Sequence, residues 1–482
     1  MAGTVTEPVW VGVDLGTQSI RVLAVDDTGH TVADARRALH GTRQGERHEQ
    51  DPLSWWESAA SALTEVTAAL RGRPVGAVAI CATSGTVLLA GPDGEPRTPA
   101  LMYDDSRAGD LASEAQEAGA ELWGRLGYRM QPAWALPKLL WWRESDFLEP
   151  GSRLVHQPDF VAARLIGHPV ATDASHALKT GYDLIEDRWP TDVLDRLGLD
   201  PAVLPPVVRP GSVLGVVGAS GAAHTGLAPG TPVVAGMTDG CAAQLAAGAL
   251  AVGSWNSVLG TTLALKGVSA ELPHDPTGAV YSHRAPHDDL WLPGGASSTG
   301  AGAIRVLFPD FDLVELTTAA ADVRDVPLCY PLVGRGERFP FVAPEARGFL
   351  GDGPLAVSDE PARVFAAVCT GIAHVERLSF ELLARDGASA VAFTGGAARN
   401  EWWNQLRCDV LGVPVRLPEN PEPALGMAVL AAGALSGDIP AAAAALVRIR
   451  RVLEPDLGRH EALTPAYHDF VAALVERGWW KE

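Results

Sequence analysis

The sequence of 482 residues has little cysteine, no uninterrupted run of apolar residues long enough for a bilayer, and a deficit of positive charge. Its five cysteines, Cys81, Cys241, Cys329, Cys369 and Cys408, are odd in number, widely spaced and without a Cys-x-x-Cys pair. That pattern argues against a disulfide framework or a cysteine-ligated zinc and leaves each thiol as a small buried apolar group. The two most apolar stretches, residues 241–255 and 424–447, are rich in Ala and broken by Gly, Gln, Asp or Pro, which does not read as a membrane span. The opening MAGTVTEPVW lacks a charged segment followed by an apolar core, so a cytoplasmic protein without a leader is expected. With a formal net charge of −20, the chain repels polyphosphate backbones, and nucleic acid is excluded as a partner. Two nucleotide signatures are also missing, the Walker A sequence and the Gly-rich loop of protein kinases.

What is present is apolar material for more than one core: 47% hydrophobic residues against 20% charged, in a length that suggests two or three domains. An apolar run over residues 9–15 breaks at Gly16-Thr17, resumes over 20–25, and ends at Asp26-Asp27-Thr28-Gly29. This spacing predicts two antiparallel strands joined by a tight turn. Trp55, Trp56, Ala59, Leu63, Val66 and Leu70 recur at helical spacing. Strand-like runs at 75–81 and 87–90 follow, separated by Thr83-Ser84-Gly85-Thr86. Strand, helix and strand again predict an α/β architecture. After a Pro- and Gly-rich stretch over 199–236 the pattern begins again, with strands at 254–259 and 263–266 around Gly260-Thr261-Thr262. A further strand at 390–393 leads through Thr394-Gly395-Gly396-Ala397 into a helix near Asn400. The repeated layout predicts two related domains, residues 1–247 and 248–482.

Turns that accept phosphate need small residues, because Gly lets backbone N–H groups approach the oxygens and Thr adds a hydroxyl. Residues 12–21, GVDLGTQSIR, supply such a turn with a carboxylate, Asp14, at its mouth. A carboxylate repels phosphate but can hold Mg²⁺, usually through water. Gly260 and Thr261 offer a second turn, and Gly395 and Gly396 before a helix offer a backbone bed for adenosine. A lone Gly-Thr turn is most often only a hairpin; the ordered set is the specific signal. Asn400 reads equally as an N-cap of its helix, and Asp239 equally as a cap or as a base.

In that order the motifs resemble the FGGY carbohydrate kinases, which share the actin-like ATPase (ribonuclease H-like) fold. The resemblance runs from residue 9 to 433. It is carried by GVDLGTQSIR, EQDPLSWW (49–56), YDDSRA (103–108), ATDASHA (171–177), GMTDGCAAQLAAGA (236–249), GERFP (336–340), ARGFLG (346–351) and GGAARNEWWNQLRCDVLGVPV (395–415). It implies two such domains facing a central cleft, and transfer of the γ-phosphoryl of ATP, with Mg²⁺, to a sugar hydroxyl. It implies Asp239 as general base, Asp14 as the metal-side carboxylate, and Gly16, Thr17, Gly260, Thr261, Gly395, Gly396 and Asn400 on the ATP side. Asp105 and Arg107 match the family's substrate-side Trp-x-Asp-x-Arg, with Tyr103 in place of the Trp. Trp55, Trp56, Trp141 and Trp142 are expected in the core rather than under the sugar.

The sugar is expected from the segment after the strand at 75–81. Xylulokinases carry Gln-Met-His there and glycerol kinases Asn-Gln-Arg-Glu; this chain has Ala82-Thr83-Ser84-Gly85-Thr86. With VLGTTLALK (258–266) it resembles the D-ribulose-acting group of the family, in which Ser84 would bond the sugar. D-Ribulose is therefore the expected substrate, with D-xylulose or another pentulose or polyol as the alternative. A catalytically inactive sugar sensor is a remote one, since Asp14, Asp239 and both Gly-Thr turns are intact. Nothing in the sequence separates a monomer from a homodimer.

Overall fold

The computed structural model describes residues 7–275, 277–384 and 387–481. Residues 1–6, on which part of the leader reading rests, lie outside the described residues. The chain divides into two compact units. The first takes residues up to 248 together with 283–291 and 420–448; the second takes 249–282, 292–419 and 449–482.

The first unit is built on β1 (Val9–Leu15), whose Val9, Val11, Val13 and Leu15 are wholly buried. It pairs antiparallel with β2 (Ser19–Val25), which pairs antiparallel with β3 (Thr31–Ala38). On its other side β1 runs parallel to β4 (Val75–Ala82). With β5 (Val213–Val216) and β6 (Pro232–Val234) the sheet order is β5-β6-β4-β1-β2-β3. Helix α1 (Pro52–Ala69) starts where Asp51 accepts the Leu53 N–H and Pro52 supplies a preset φ. It buries Trp55, Ala59, Leu63 and Val66 along one stripe. Helix α2 (Asp239–Ala246) leaves the sheet just beyond β6, where Thr238 bridges Ala82 at the end of β4. Helix α3 (Pro423–Ser436) is buried at every position from Ala424 to Gly433. That explains the uniform apolarity of its sequence: it packs on all sides inside this unit. By contact, α3 and the 283–291 turn group with the first unit, although both lie in the sequence stretch 248–482 expected as the second domain.

The second unit repeats the arrangement. Strand β7 (Ser254–Leu259) pairs antiparallel with β8 (Leu263–Gly267) across the Gly260 turn. Together with β9 (Tyr281–Arg284), β10 (Trp291–Ala296), β11 (Ala390–Thr394), β12 (Val415–Pro418) and β13 (Ile449–Leu453), the order is β9-β10-β8-β7-β11-β12-β13. Strand β7 runs parallel to β11 as β1 does to β4, so each glycine-threonine turn leaves an equivalent strand. All five cysteines are free and buried, as expected. Among the described residues, no helix is long and apolar enough to cross a membrane.

The core of the second unit contains an ion pair with no exposed surface. Arg407 donates to both oxygens of Glu376 (2.8 and 2.7 Å), and Ser257 adds a 2.5 Å bond to the same carboxylate. The guanidinium lies 3.6 Å from the centre of the Phe393 ring. Removing one partner strands the other charge in a dry interior. Arg407→Leu is therefore expected to cost about 3–5 kcal/mol of unfolding free energy, and Arg407→Leu with Glu376→Leu to regain most of it. Urea denaturation of the three proteins reads this; equal losses in the single and double variants would contradict it.

Candidate active site

The turn after β1 is drawn tight by the Gly16 N–H bond to Ser19 O (3.0 Å). Gln50 holds it from outside, donating to Thr17 O at 2.7 Å while accepting from the Trp55 indole at 2.7 Å. Asp14 sits near the end of β1 beside Cys81 of β4, whose Sγ is 3.6 Å from Oδ1. Burial, reinforced by the charge of Asp239, pushes the Asp14 carboxyl up to about 7. A carboxylate so placed lacks a countercharge of its own strength, since Arg21 is itself paired to Glu422 at 2.9 Å.

Asp239 is the first residue of α2 and Thr238 its N-cap, so Asp239 is not the cap. Its Oδ1 accepts the Gly240 N–H at 2.7 Å. The turn before it is held by a chain of buried groups that sequence reasoning left without a role. Ser175 accepts the Thr238 N–H at 2.9 Å and donates to Asp173 at 2.5 Å. Asp173 also caps the short helix Ala174–Ala177 and meets His176 Nδ1 at 2.5 Å. His176 keeps its proton more readily than a free imidazole because the Asp173 charge overcomes the effect of burial. The Asp-x-Ser pair at a helix start was the available signal.

The strand of Asp14 and the helix of Asp239 are brought together by α3. A Cβ on Gly12 of β1 would stand 1.8 Å from Ala424 O, and one on Gly426 would stand 1.9 Å from Ala242 O of α2. Both distances mean backbone against backbone, an approach open only to glycine.

On the expected sugar side, five short strands, Thr42–Gln44, Arg47–Gln50, Val87–Ala90, Ala100–Leu101 and Arg153–His156, form a separate sheet. The Ser84 turn enters it, and the Ser84 hydroxyl is buried without a hydrogen-bond partner. Asp105 and Arg107, expected on the sugar side, are bonded to one another. Asp105 is 0% exposed and accepts from His48 N–H (2.7 Å) and from Arg107 Nε and Nη2 (2.9 and 2.7 Å). Arg107 also pairs with Glu49 at 2.7 Å and lies 5.1 Å from the Trp141 ring centre. The pair is spent on itself and ties residues 103–107 to 48–49. Tyr103, by contrast, is 42% exposed. Trp55 and Trp142 are core residues, while Trp56 and Trp141 are half-buried.

In the second unit the carbonyls of Gly260 and Thr261 accept from Ala301 N–H (2.9 Å) and Gly302 N–H (3.0 Å). The loop before these donors is organised by buried Glu337 of the GERFP segment, which accepts from the Ser297 hydroxyl, Ser298 N–H, the Thr299 hydroxyl and the Tyr330 hydroxyl. Arg305 donates to the Thr261 hydroxyl at 2.9 Å. Gly395 takes a φ of 82° and leads through Gly396 into the helix Glu401–Leu411. Asn400 is the N-cap of that helix, accepting from Trp403 N–H (3.0 Å) while its amide donates to the Thr317 hydroxyl (2.9 Å).

Two family models match, those of the N-terminal domain (residues 9–246) and the C-terminal domain (256–435) of the FGGY family of carbohydrate kinases. The chain belongs to that family. It is 32% identical to a xylulose kinase from Streptomyces coelicolor over 456 residues, covering 91% of this chain and 90% of that one. A xylulose kinase from Streptomyces rubiginosus is 32% identical over 491 residues, 98% of each. The crystal structure of a xylulose kinase from Rhodospirillum rubrum superposes with a TM-score of 0.87 at 26% identity, covering 97% of this chain and 98% of that one. The protein is thus an ATP-dependent carbohydrate kinase, a phosphotransferase with an alcohol acceptor, and has the two-domain actin-like fold that its sequence resembles.

For this FGGY kinase the glycine contacts on α3 carry a direct expectation. Gly426→Ala drives a Cβ into the α2 backbone, an overpacking that costs about 1–3 kcal/mol. Because the same backbone carries Asp239, a displacement near 1 Å is expected to lower kcat by about a hundredfold. Denaturation and steady-state kinetics on the folded variant check this; a normal kcat would mean that α2 does not follow α3.

Proposed function

We propose that this kinase transfers the γ-phosphoryl of MgATP to a hydroxyl of a pentulose, with D-xylulose as its first substrate and Asp239 as the general base. The observation that carries the chemistry is the coupling of two carboxylates, Asp14 and Asp239, at the ends of a strand and a helix packed on one buried helix. Asp239 takes the proton of the attacking hydroxyl; phosphoryl transfer is loose, so an ordinary carboxylate suffices. Mg²⁺ fits this donor set, because it is commonly held by one or two carboxylates, water and phosphate oxygens. When bound it neutralises charge on the transferring phosphate. Asp14 would hold it. ATP is assigned to Gly16, Thr17, Gly260, Thr261, Gly395 and Gly396. Asn400 acts as the cap that aims its helix.

The relatives favour D-xylulose over the D-ribulose expected from the Ser84 segment. D-Ribulose stands as the second reading on one observation, the buried Ser84 hydroxyl that lacks a partner within the chain. Sugar binding is assigned to Ser84 and Asp239, with Asp105 and Arg107 holding the wall rather than touching the ligand.

A coupled ADP-release assay over D-xylulose, D-ribulose, L-xylulose, L-ribulose, ribitol and glycerol tests this. The highest kcat/KM is expected with D-xylulose; a preference for D-ribulose would restore the Ser84 reading, and no turnover with any of them would overturn the pentulose assignment. Asp239→Asn is expected to lower kcat by about 10²–10⁴-fold while ATP still binds. A variant keeping a tenth of wild-type kcat would remove Asp239 as the base.

A further inference from the structure

Of the 38 lysine and arginine residues in the sequence, only four are lysine: Lys138, Lys179, Lys266 and Lys481. Arginine serves almost everywhere else, even in the buried pair with Glu376. Two of the four lysines meet at one turn. Lys179 donates to Ser84 O at 3.0 Å, and Lys138 donates to the next carbonyl, Gly85 O, at 2.9 Å. Lys138 also donates to Met102 O at 2.6 Å, immediately before the segment 103–107.

The turn itself is unusual. Gly85 has φ 95°, a conformation that L side chains rarely adopt. The Lys179 stem fills the space where a Cβ of residue 85 would stand, with Cδ 3.3 Å away, and its ammonium lies 5.9 Å from the Trp134 ring centre. Lys138 has no exposed surface. Burial lowers its pKa to about 7 against the opposing charge of Asp105. An ammonium is retained in such a place only when its donors are used. The head group is a compact point with three diverging N–H bonds, whereas the donors of a guanidinium lie in one plane. Carbonyls converging from two separate segments select the former.

We propose that Lys138 and Lys179 are positioning residues that lock the Ser84 turn, join it to the 103–107 segment, and thereby set which sugar the kinase accepts. The inference rests on the reading that Ser84 meets the sugar. Fixing these two successive carbonyls fixes the peptide planes on both sides of Gly85, and the first of those planes leaves Ser84 and so constrains the direction of its hydroxyl. The lysines act through the turn, so their loss affects sugar recognition and leaves the nucleotide side alone.

The test is kinetic, with Lys179→Met and Lys138→Met in the full chain. Wild-type turnover on the pentulose panel comes first, since its absence would defeat the sugar assignment and not the lysine roles. Each variant is expected to raise the sugar KM by roughly ten- to a hundredfold, the size of a lost charge-assisted hydrogen bond. KM for ATP should stay within twofold, and the kcat/KM ratio between D-xylulose and D-ribulose should shift. Lys138→Met removes a wholly buried group; if it does not fold, half-buried Lys179 decides. A folded Lys179→Met with sugar KM and preference ratio within twofold of wild type would overturn the proposal.

Discussion

The first unit depends on one contact, the direct backbone approach of α3 to β1 on one side and to α2 on the other. Gly12 and Gly426 make it by having nothing between the two backbones. Gly236 does the same just beyond β6, where a Cβ would stand 1.8 Å from Ile80 O of β4. A side chain at any of these points would push apart the elements that carry Asp14 and Asp239. The spacing of the two carboxylates is therefore set by main-chain contact, which is stiffer than any side-chain packing.

That stiffness bears on the electrostatics. Burial raises the pKa of Asp14, and the charge of Asp239 held nearby raises it further. In each unit the fold supplies orientation rather than countercharge. In the first, Ser175 and Asp173 hold the turn before Asp239 and Gln50 holds the turn after Asp14; in the second, Glu337 holds the loop that grips Gly260 and Thr261. Each uses a buried carboxylate, amide or hydroxyl whose other bonds are already made, so the geometry exists before any ligand arrives.

Much of this was legible in the sequence where local chemistry decides structure. Strands β1 and β7 and the turns that follow them appear as apolar runs stopped by Gly-Thr, and α1 appears as a stripe of Trp, Ala, Leu and Val. What escaped depends on partners remote in the chain. Asp105 and Arg107 read as a sugar motif, yet they satisfy one another because His48 and Glu49 close over them. Residues 420–448 read as part of the second domain, since nothing local shows that an Ala-rich helix is jacketed by the first. The lysines escaped for a different reason: their partners are carbonyls, which leave no mark in a sequence.

The discontinuity of the first unit bears on how the protein is made. Strand β1 emerges from the ribosome early, but the helix that covers Gly12 follows only after the whole of 249–419. Until then the inner face of β1 and one side of α2 are uncovered apolar surface, open to the chaperones that attend synthesis. The second unit also awaits residues 449–482, so each unit is completed only after part of the other has been made. Neither can mature by itself in the order of synthesis, and a release of the chain at residue 419 would leave two unfinished bodies rather than one finished domain.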